Sequence, residues 1–364
     1  MASDGRKVCA PPRTLTPDDW KTLDVNNWSV LGARGARQAR AAVPDEPGQS
    51  DEDQRPQWDG LLERLSKILL PTEVIAGLKS SNSDTLVVVP ITVIQPEFSV
   101  EGPLTEQTIN IPPIRRTLSL STVPFAAFPF ENGKLIDRFS IVMSPGFTSF
   151  TKNPKEVNKQ FKDPIVIGNP ANRAYPNLQG AEDEAKHVAD RLGAKVFVRK
   201  SATKKVLKTY LRRHSASVDL IHLATHGVAD AENPLDKSFL VFTDASWTAR
   251  DIGTFRLTRK PLVVMSACQT ALGKNFPSGT IGLAQAWHRA GASNVVMSLW
   301  SVDDTATKVL MEQFVDLVVS GKPVDKALQA AMVSLRQKYT NPSNWASFSI
   351  YGAPERIDGL SSTP

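Results

Sequence analysis

Cysteine is scarce in this sequence. Only Cys9 and Cys268 occur among 364 residues, which excludes a disulfide-built scaffold and suits a reducing compartment, with the cytoplasm as the expected location. Long apolar runs are missing too: no stretch approaches the roughly 18 residues a membrane-spanning helix needs, so no membrane association is expected. The opening Met1-Ala2-Ser3-Asp4-Gly5-Arg6-Lys7 has no apolar segment and does not read as a secretory signal. Neither a G-x-G-x-x-G after an early strand nor a G-x-x-x-x-G-K-[ST] is found, which argues against a nucleotide-binding protein, and no cofactor is expected. The G-x-S-x-G elbow of serine hydrolases is absent. So is any internal repeat, in particular a 34-residue helical one.

What is present has the balance of an ordinary globular protein, with 41% hydrophobic and 22% charged residues. The net charge of +6 is uneven, because residues 1–58 are close to neutral. The densest basic run, Arg199, Lys200, Lys204, Lys205, Lys208, Arg212 and Arg213, falls at helical spacing from about position 203. It lacks interleaved aromatics and reads as a solvated helix face, so no nucleic acid is expected as a partner. Residues 1–58 show no sustained periodicity and read as a weakly ordered arm on which Trp20 and Trp28 offer docking side chains.

From Trp58 onward Leu61, Leu62, Leu65, Ile68 and Leu69 recur at helical spacing. Apolar, β-branched runs then predict strands at 86–94, 139–143, 165–167, 196–198, 220–224, 239–242, 262–267, 295–299 and 348–351. Helical patterns fall near 179–192, 203–213, 280–290, 304–320 and 323–338. The Pro-rich stretch around Pro112, Pro113, Pro124 and Pro129 predicts loops or edge hairpins. Continuous apolar strands alternating with amphipathic helices predict an α/β fold with a mostly parallel sheet covered on both faces.

Two strand ends carry polar chemistry. One reads Asp219-Leu220-Ile221-His222-Leu223-Ala224-Thr225-His226-Gly227, the other Pro261-Leu262-Val263-Val264-Met265-Ser266-Ala267-Cys268-Gln269-Thr270. Functional groups in open α/β sheets gather at the carboxyl ends of strands, and neighbouring parallel strands would bring His226 and Cys268 side by side. An imidazole beside a thiol takes its proton, giving a thiolate that attacks an amide carbonyl; the imidazolium then protonates the departing amine. The backbone amides of Gly227 and Cys268 are candidates for stabilising the oxyanion, and glycine permits close approach. The plainer alternatives stay open: Cys268 as a small buried hydrophobe, His222 as a satisfied core histidine, and the His222/His226 pair as zinc ligands. His187, His214 and His288 lie on or beside helices and read as surface or satisfied residues.

These residues resemble a known family. Ala224-Thr225-His226-Gly227 followed by Glu232-Asn233-Pro234-Leu235, and the strand running from Leu262 through Cys268 to Gly273, are similar to two signatures of CHAT domains, relatives of caspases and separase. Further similarity lies in Leu178-Gln179-Gly180-Ala181 with Glu182 and Glu184, in Gly279 and Gly282-Leu283-Ala284, in Ala290-Gly291-Ala292, in Ser298-Leu299-Trp300-Ser301-Val302-Asp303-Asp304, and in Trp345-Ala346-Ser347-Phe348 with Tyr351-Gly352. Gln269 and Ala271 stand where the family often has Glu and Gly, and Ser301 where it often has Pro. The resemblance runs from about 84 to 354 and is strongest from 160 onward. It implies a caspase-like three-layer sandwich with a mostly parallel central sheet over 59–358, its motif-bearing core at about 160–354, preceded by the arm of 1–58.

The resemblance further implies a cysteine endopeptidase that makes selective, regulated cuts in a protein substrate, with His226 as base, Cys268 as nucleophile and the amides of Gly227 and Cys268 as the oxyanion hole. Ser298, Leu299 and Trp300 would lie beside a substrate bound as an added strand. Trp300 is then a pocket wall, or else a core-edge aromatic. Asp303 or Asp304 floors a pocket for a basic side chain, or else caps the helix that starts near Thr305. No resident metal is implied. A separate activator protein is an expected partner, and a non-cleaving peptide-binding scaffold is the alternative function.

Overall fold

The computed structural model describes residues 15–23, 51–89, 92–94, 117–119, 123–144, 161–230, 233–266, 278–300 and 302–353. Helices α1 (Pro17–Leu23), α2 (Asp51–Leu69) and α3 (Thr72–Lys79) lead into strand β1 (Thr85–Val88). The antiparallel pair β2 (Thr92–Ile94) and β3 (Thr117–Ser119) follows, then the hairpin of β4 (Pro129–Phe130) and β5 (Gly133–Lys134), helix α4 (Leu135–Arg138) and β6 (Ser140–Met143). Next come β7 (Pro164–Pro170), α5 (Gln179–Leu192), β8 (Val196–Arg199), α6 (Lys204–Arg213) and β9 (Leu220–Ala224). A small antiparallel sheet of β10 (Gly227–Val228), β11 (Phe239–Val241) and β12 (Ser246–Thr248), with helix α7 (Ala249–Ile252), separates β9 from β13 (Leu262–Met265). The remainder is α8 (Ser278–Ala290), β14 (Asn294–Ser298), α9 (Asp304–Val319), α10 (Val324–Lys338), α11 (Pro342–Trp345) and β15 (Phe348–Gly352).

Eight strands form the central sheet in the order β1-β6-β15-β14-β13-β9-β7-β8. Every neighbouring pair is parallel except β14 with β15, so the expected mostly parallel sheet is two parallel blocks meeting at one antiparallel junction. Strands β9, β13, β14 and β15 are buried along their whole length. Strands covered on both faces need apolar residues at successive positions, which is why they read as continuous runs rather than alternations. Helices α5, α9 and α10 pack together over one face. Right-handed crossovers place α6 and α8, which connect strands laid down in the opposite direction across the sheet, on the other.

Within the stretch read as an arm, residues 17–23 and 51–58 are helical. Helix α2 begins at Asp51, inside the stretch read as an arm, and its Trp58, Leu61, Leu62 and Leu65 are buried in the core. Leu23 of α1 is buried as well. Burial, not periodicity over a long window, orders these short segments; Trp28 lies outside the described residues. The run at 86–94 is also not one strand but β1 followed by β2.

Candidate active site

The carboxyl ends of β7, β9, β13 and β14 share one edge of the sheet. His226 sits two residues past the end of β9 and is only 3% exposed. Its segment is fastened to β11 from both sides: the Val241 amide donates to the His226 carbonyl (2.9 Å), and the Thr225 hydroxyl donates to the Val241 carbonyl (2.6 Å). The imidazole Nε2 lies 2.8 Å from the Pro176 carbonyl oxygen. A carbonyl can only accept, so Nε2 carries a proton and donates it. Tyr175 covers the ring, centroid to centroid 5.2 Å.

That loop, residues 171–178, is held by a knot of side-chain amides. Buried Asn169 at the end of β7, with φ of 43°, donates to the Asn177 side-chain oxygen (3.0 Å) and to Glu182 (3.1 Å) and accepts from the Leu178 amide (3.0 Å). Arg199 also donates to Asn177. Asparagine tolerates the left-handed backbone better than most residues because its short side chain bonds locally. Neither the Pro176 carbonyl nor Tyr175 was among the residues expected from the sequence. A backbone carbonyl has no sequence signature, although its position after the carboxyl end of β7 was a usable signal.

Strand β13 runs beside β9, with Val264 opposite His222 and Met265 opposite Leu223. The two strands are therefore side by side up to Leu223 and Met265. Cys268 itself, expected as nucleophile and amide donor, lies outside the described residues. Gly227 is buried and pairs with Leu240 across β10 and β11. Because the His226–Val241 pair carries a ladder bond, the alternation of an antiparallel ladder makes Gly227–Leu240 a non-hydrogen-bonded pair, its amide turned away from β11.

Beneath this edge lies a fully buried polar cluster. The His222 Nε2 is 2.7 Å from one oxygen of Glu184, and the Ser266 hydroxyl donates to the other oxygen at 2.8 Å. Glu184 and His222 are 1% and 0% exposed. Burial pushes the Glu184 carboxyl above its ordinary range; the bonds from His222 and Ser266 oppose that rise, and the nearby Asp304 charge adds to it. His222 is thus a core histidine held by Glu184 through Nε2, while its buried Nδ1 has no hydrogen-bond partner among the described residues. The two histidines turn to different partners, and among the described residues no group of three or more His, Cys, Asp or Glu is gathered to hold a metal.

Three of the residues expected on the substrate side lie inside the protein. Ser298, Leu299 and Trp300 are all buried. Trp300 is completely enclosed, packs on Trp58 at 5.3 Å and donates from Nε1 to the Ser343 carbonyl at 3.0 Å. It is a core aromatic rather than an open pocket wall. The main-chain edge toward β15 is taken, since Ser298 pairs with Phe348 and the Leu299 amide donates to the Ser347 carbonyl. Asp303 is the N-cap of α9, accepting from the Ala306 amide at 2.8 Å. Asp304 reaches across to α5 and accepts from the amides of Gly180 (2.7 Å) and Ala181 (3.1 Å). Both carboxylates are engaged at helix N-termini, where a negative charge is favoured.

Of the other histidines, His288 has a buried Nδ1 without a hydrogen-bond partner among the described residues. His187 contacts Asp316 at 3.1 Å, His214 contacts Asp163 at 2.8 Å, and His288 abuts the Tyr351 ring edge-on. No described helix is long and apolar enough to cross a membrane.

A family model for the CHAT domain matches residues 59–353. The chain is 27% identical over 296 residues to tetratricopeptide repeat protein 28 of Mus musculus and 27% identical over 299 residues to that of Homo sapiens. These matches cover 66% and 67% of this chain but only 12% of each relative's length. Among solved structures it is similar to the Arg-specific cysteine proteinase gingipain R, with a TM-score of 0.37 and 11% identity, covering 53% of this chain and 46% of that one. It is also similar to the Saccharomyces cerevisiae separase–securin complex, with a TM-score of 0.45 and 17% identity, covering 64% of this chain and 14% of that one. With the match spanning the sheet and all of its described strand-end residues, the chain belongs to the CHAT domain family.

Proposed function

We propose that this chain is a cysteine endopeptidase in which His226 is the general base and Cys268 the nucleophile. The observation that carries the reading is the bond from His226 Nε2 to the Pro176 carbonyl, which leaves Nδ1 as the basic nitrogen on a buried ring beside the strand leading to Cys268. Nδ1 takes the thiol proton as Sγ bonds to the substrate carbonyl carbon. The resulting oxyanion is met by the amides of Gly227 and Cys268. Collapse breaks the C–N bond, the amine leaves with the proton from Nδ1, and water then hydrolyses the thioester with His226 again as base.

A protein substrate is read as an extended strand through main-chain bonds. The β15 side of Ser298 and Leu299 is occupied and is closed to that strand. Asp303, already a cap, contributes to substrate binding only by fixing the start of α9. Work in the cytoplasm and control by a separate activator complete the proposal, and both follow from the family resemblance and the two-cysteine composition.

Labelling with a library of peptide acyloxymethyl ketones tests it. Wild type should form an adduct at Cys268, Cys268→Ala none, and His226→Ala about 10²–10⁴-fold less, the usual range for a general base. Absence of any Cys268 adduct, with candidate activators supplied, would sink the peptidase reading in favour of a binding scaffold.

A further inference from the structure

The proposed dyad leaves the fully buried Glu184 without a task. Glu184 projects from α5 between the two strands that end at the site, and holds one residue of each: His222, four positions before His226, and Ser266, two positions before Cys268. We propose that Glu184 is a positioning residue that clasps the carboxyl ends of β9 and β13 together and so sets the spacing between His226 and Cys268. This rests on the dyad reading.

The geometry favours a clasp over incidental burial. His222 and Val264 are register partners, so Ser266, two residues further along β13, faces the same side of the sheet as His222. One carboxylate accepting from both strands is therefore a cross-strand brace. His222 Nδ1 has no hydrogen-bond partner among the described residues, and among them the bond to Glu184 alone anchors the ring's polar atoms.

The brace is itself mounted rigidly. At Gly168 of β7 an added Cβ would lie 2.4 Å from the Ala185 Cβ and 2.7 Å from the Ala181 carbonyl oxygen, so α5 sits on the sheet at a distance only glycine allows. The N-terminus of α5 is tied to Asp304, four residues after Trp300, and an added Cβ at Gly180 would again collide, 2.7 Å from Asp304. On the site side, Leu178, Ala181 and Ala224 form their own buried apolar cluster.

The test follows alkylation of Cys268 by iodoacetamide across pH, read by peptide mapping so that Cys9 is counted separately. Wild type should titrate below the free-thiol range of about 8.5, and His226→Ala should restore that range. Glu184→Ala should do the same in a folded protein, with alkylation at pH 7 reduced about tenfold and peptidase kcat falling more than KM changes. Glu184→Gln keeps one acceptor and one donor and should recover wild-type reactivity to within about threefold. Should Glu184→Ala fail to fold, Ser266→Ala, which opens one arm of the clasp, should still raise the Cys268 titration. A folded Glu184→Ala or Ser266→Ala with the wild-type profile would overturn the clasp. A wild-type profile in the free-thiol range and indifferent to His226→Ala would overturn the dyad and the clasp together.

Discussion

At the carboxyl edge of the sheet a glutamate meets a histidine and a serine; at the amino edge an aspartate meets a histidine, a serine and a tyrosine. The first cluster is Glu184, His222 and Ser266, sealed from water. The second is Asp163, just before β7, bonded by His214 at 2.8 Å and by the hydroxyls of Tyr210 and Ser217, with His214 stacked on Tyr210 at 4.1 Å. The outcomes are opposite. Burial raises the Glu184 carboxyl, and its two donors do not reverse the rise. Burial also acts upward on Asp163, but the bonds from Ser217, Tyr210 and His214 outweigh it and leave that carboxyl below its ordinary range. Similar side chains thus make a costly internal brace at one edge and a solvent-tolerant fastening at the other. The difference is decided by desolvation and the number of donors.

The comparison breaks most severely where α5 meets the sheet. Gly168→Ala should force α5 away from β7 and cost about 1–3 kcal/mol, the usual range for overpacking, with the midpoint of urea unfolding as the readout. It should also loosen Glu184, so Cys268 reactivity should fall with it, whereas substitutions around Asp163 should leave that reactivity alone. A smaller effect is expected from Asp304→Ala, which removes the carboxylate at the N-terminus of α5. About 1 kcal/mol is typical of a lost cap, again by urea unfolding.

The subtlest separation is in pH. The raised carboxyl of Glu184 binds its proton more tightly folded than unfolded, so its contribution declines as pH rises from the unfolded value of about 4.3 through the folded one. The lowered carboxyl of Asp163 does the reverse: its contribution is present above about 3.9 and disappears as pH falls through the folded value. Glu184→Gln should flatten the first slope and Asp163→Asn the second in stability measured against pH. If both variants changed the same limb, the two edges would not differ in the way described.

Much of the site was readable in the residues. The apolar runs ending in Thr225-His226-Gly227 and in Ser266 gave both strands, their shared edge and the histidine. Glu184 was visible as a family-like residue but not as a brace, because its partners lie 38 and 82 positions away in the chain. The Pro176 carbonyl carries no side-chain signal, and the burial of Trp300 depends on Trp58, from a segment that had looked like an arm.

The sequence by itself determined the α/β class, the succession of strands and helices, and the family, because continuous apolar strands and amphipathic helices record burial locally and the motifs are contiguous. Tertiary structure alone decided which nitrogen of His226 meets the Pro176 carbonyl, that Asp303 and Asp304 cap helices, that Trp300 is core, and that Glu184 joins two strands. Each depends on a partner brought close by folding. Hydrogen bonds and desolvation act over a few ångströms in space, whatever the separation along the chain.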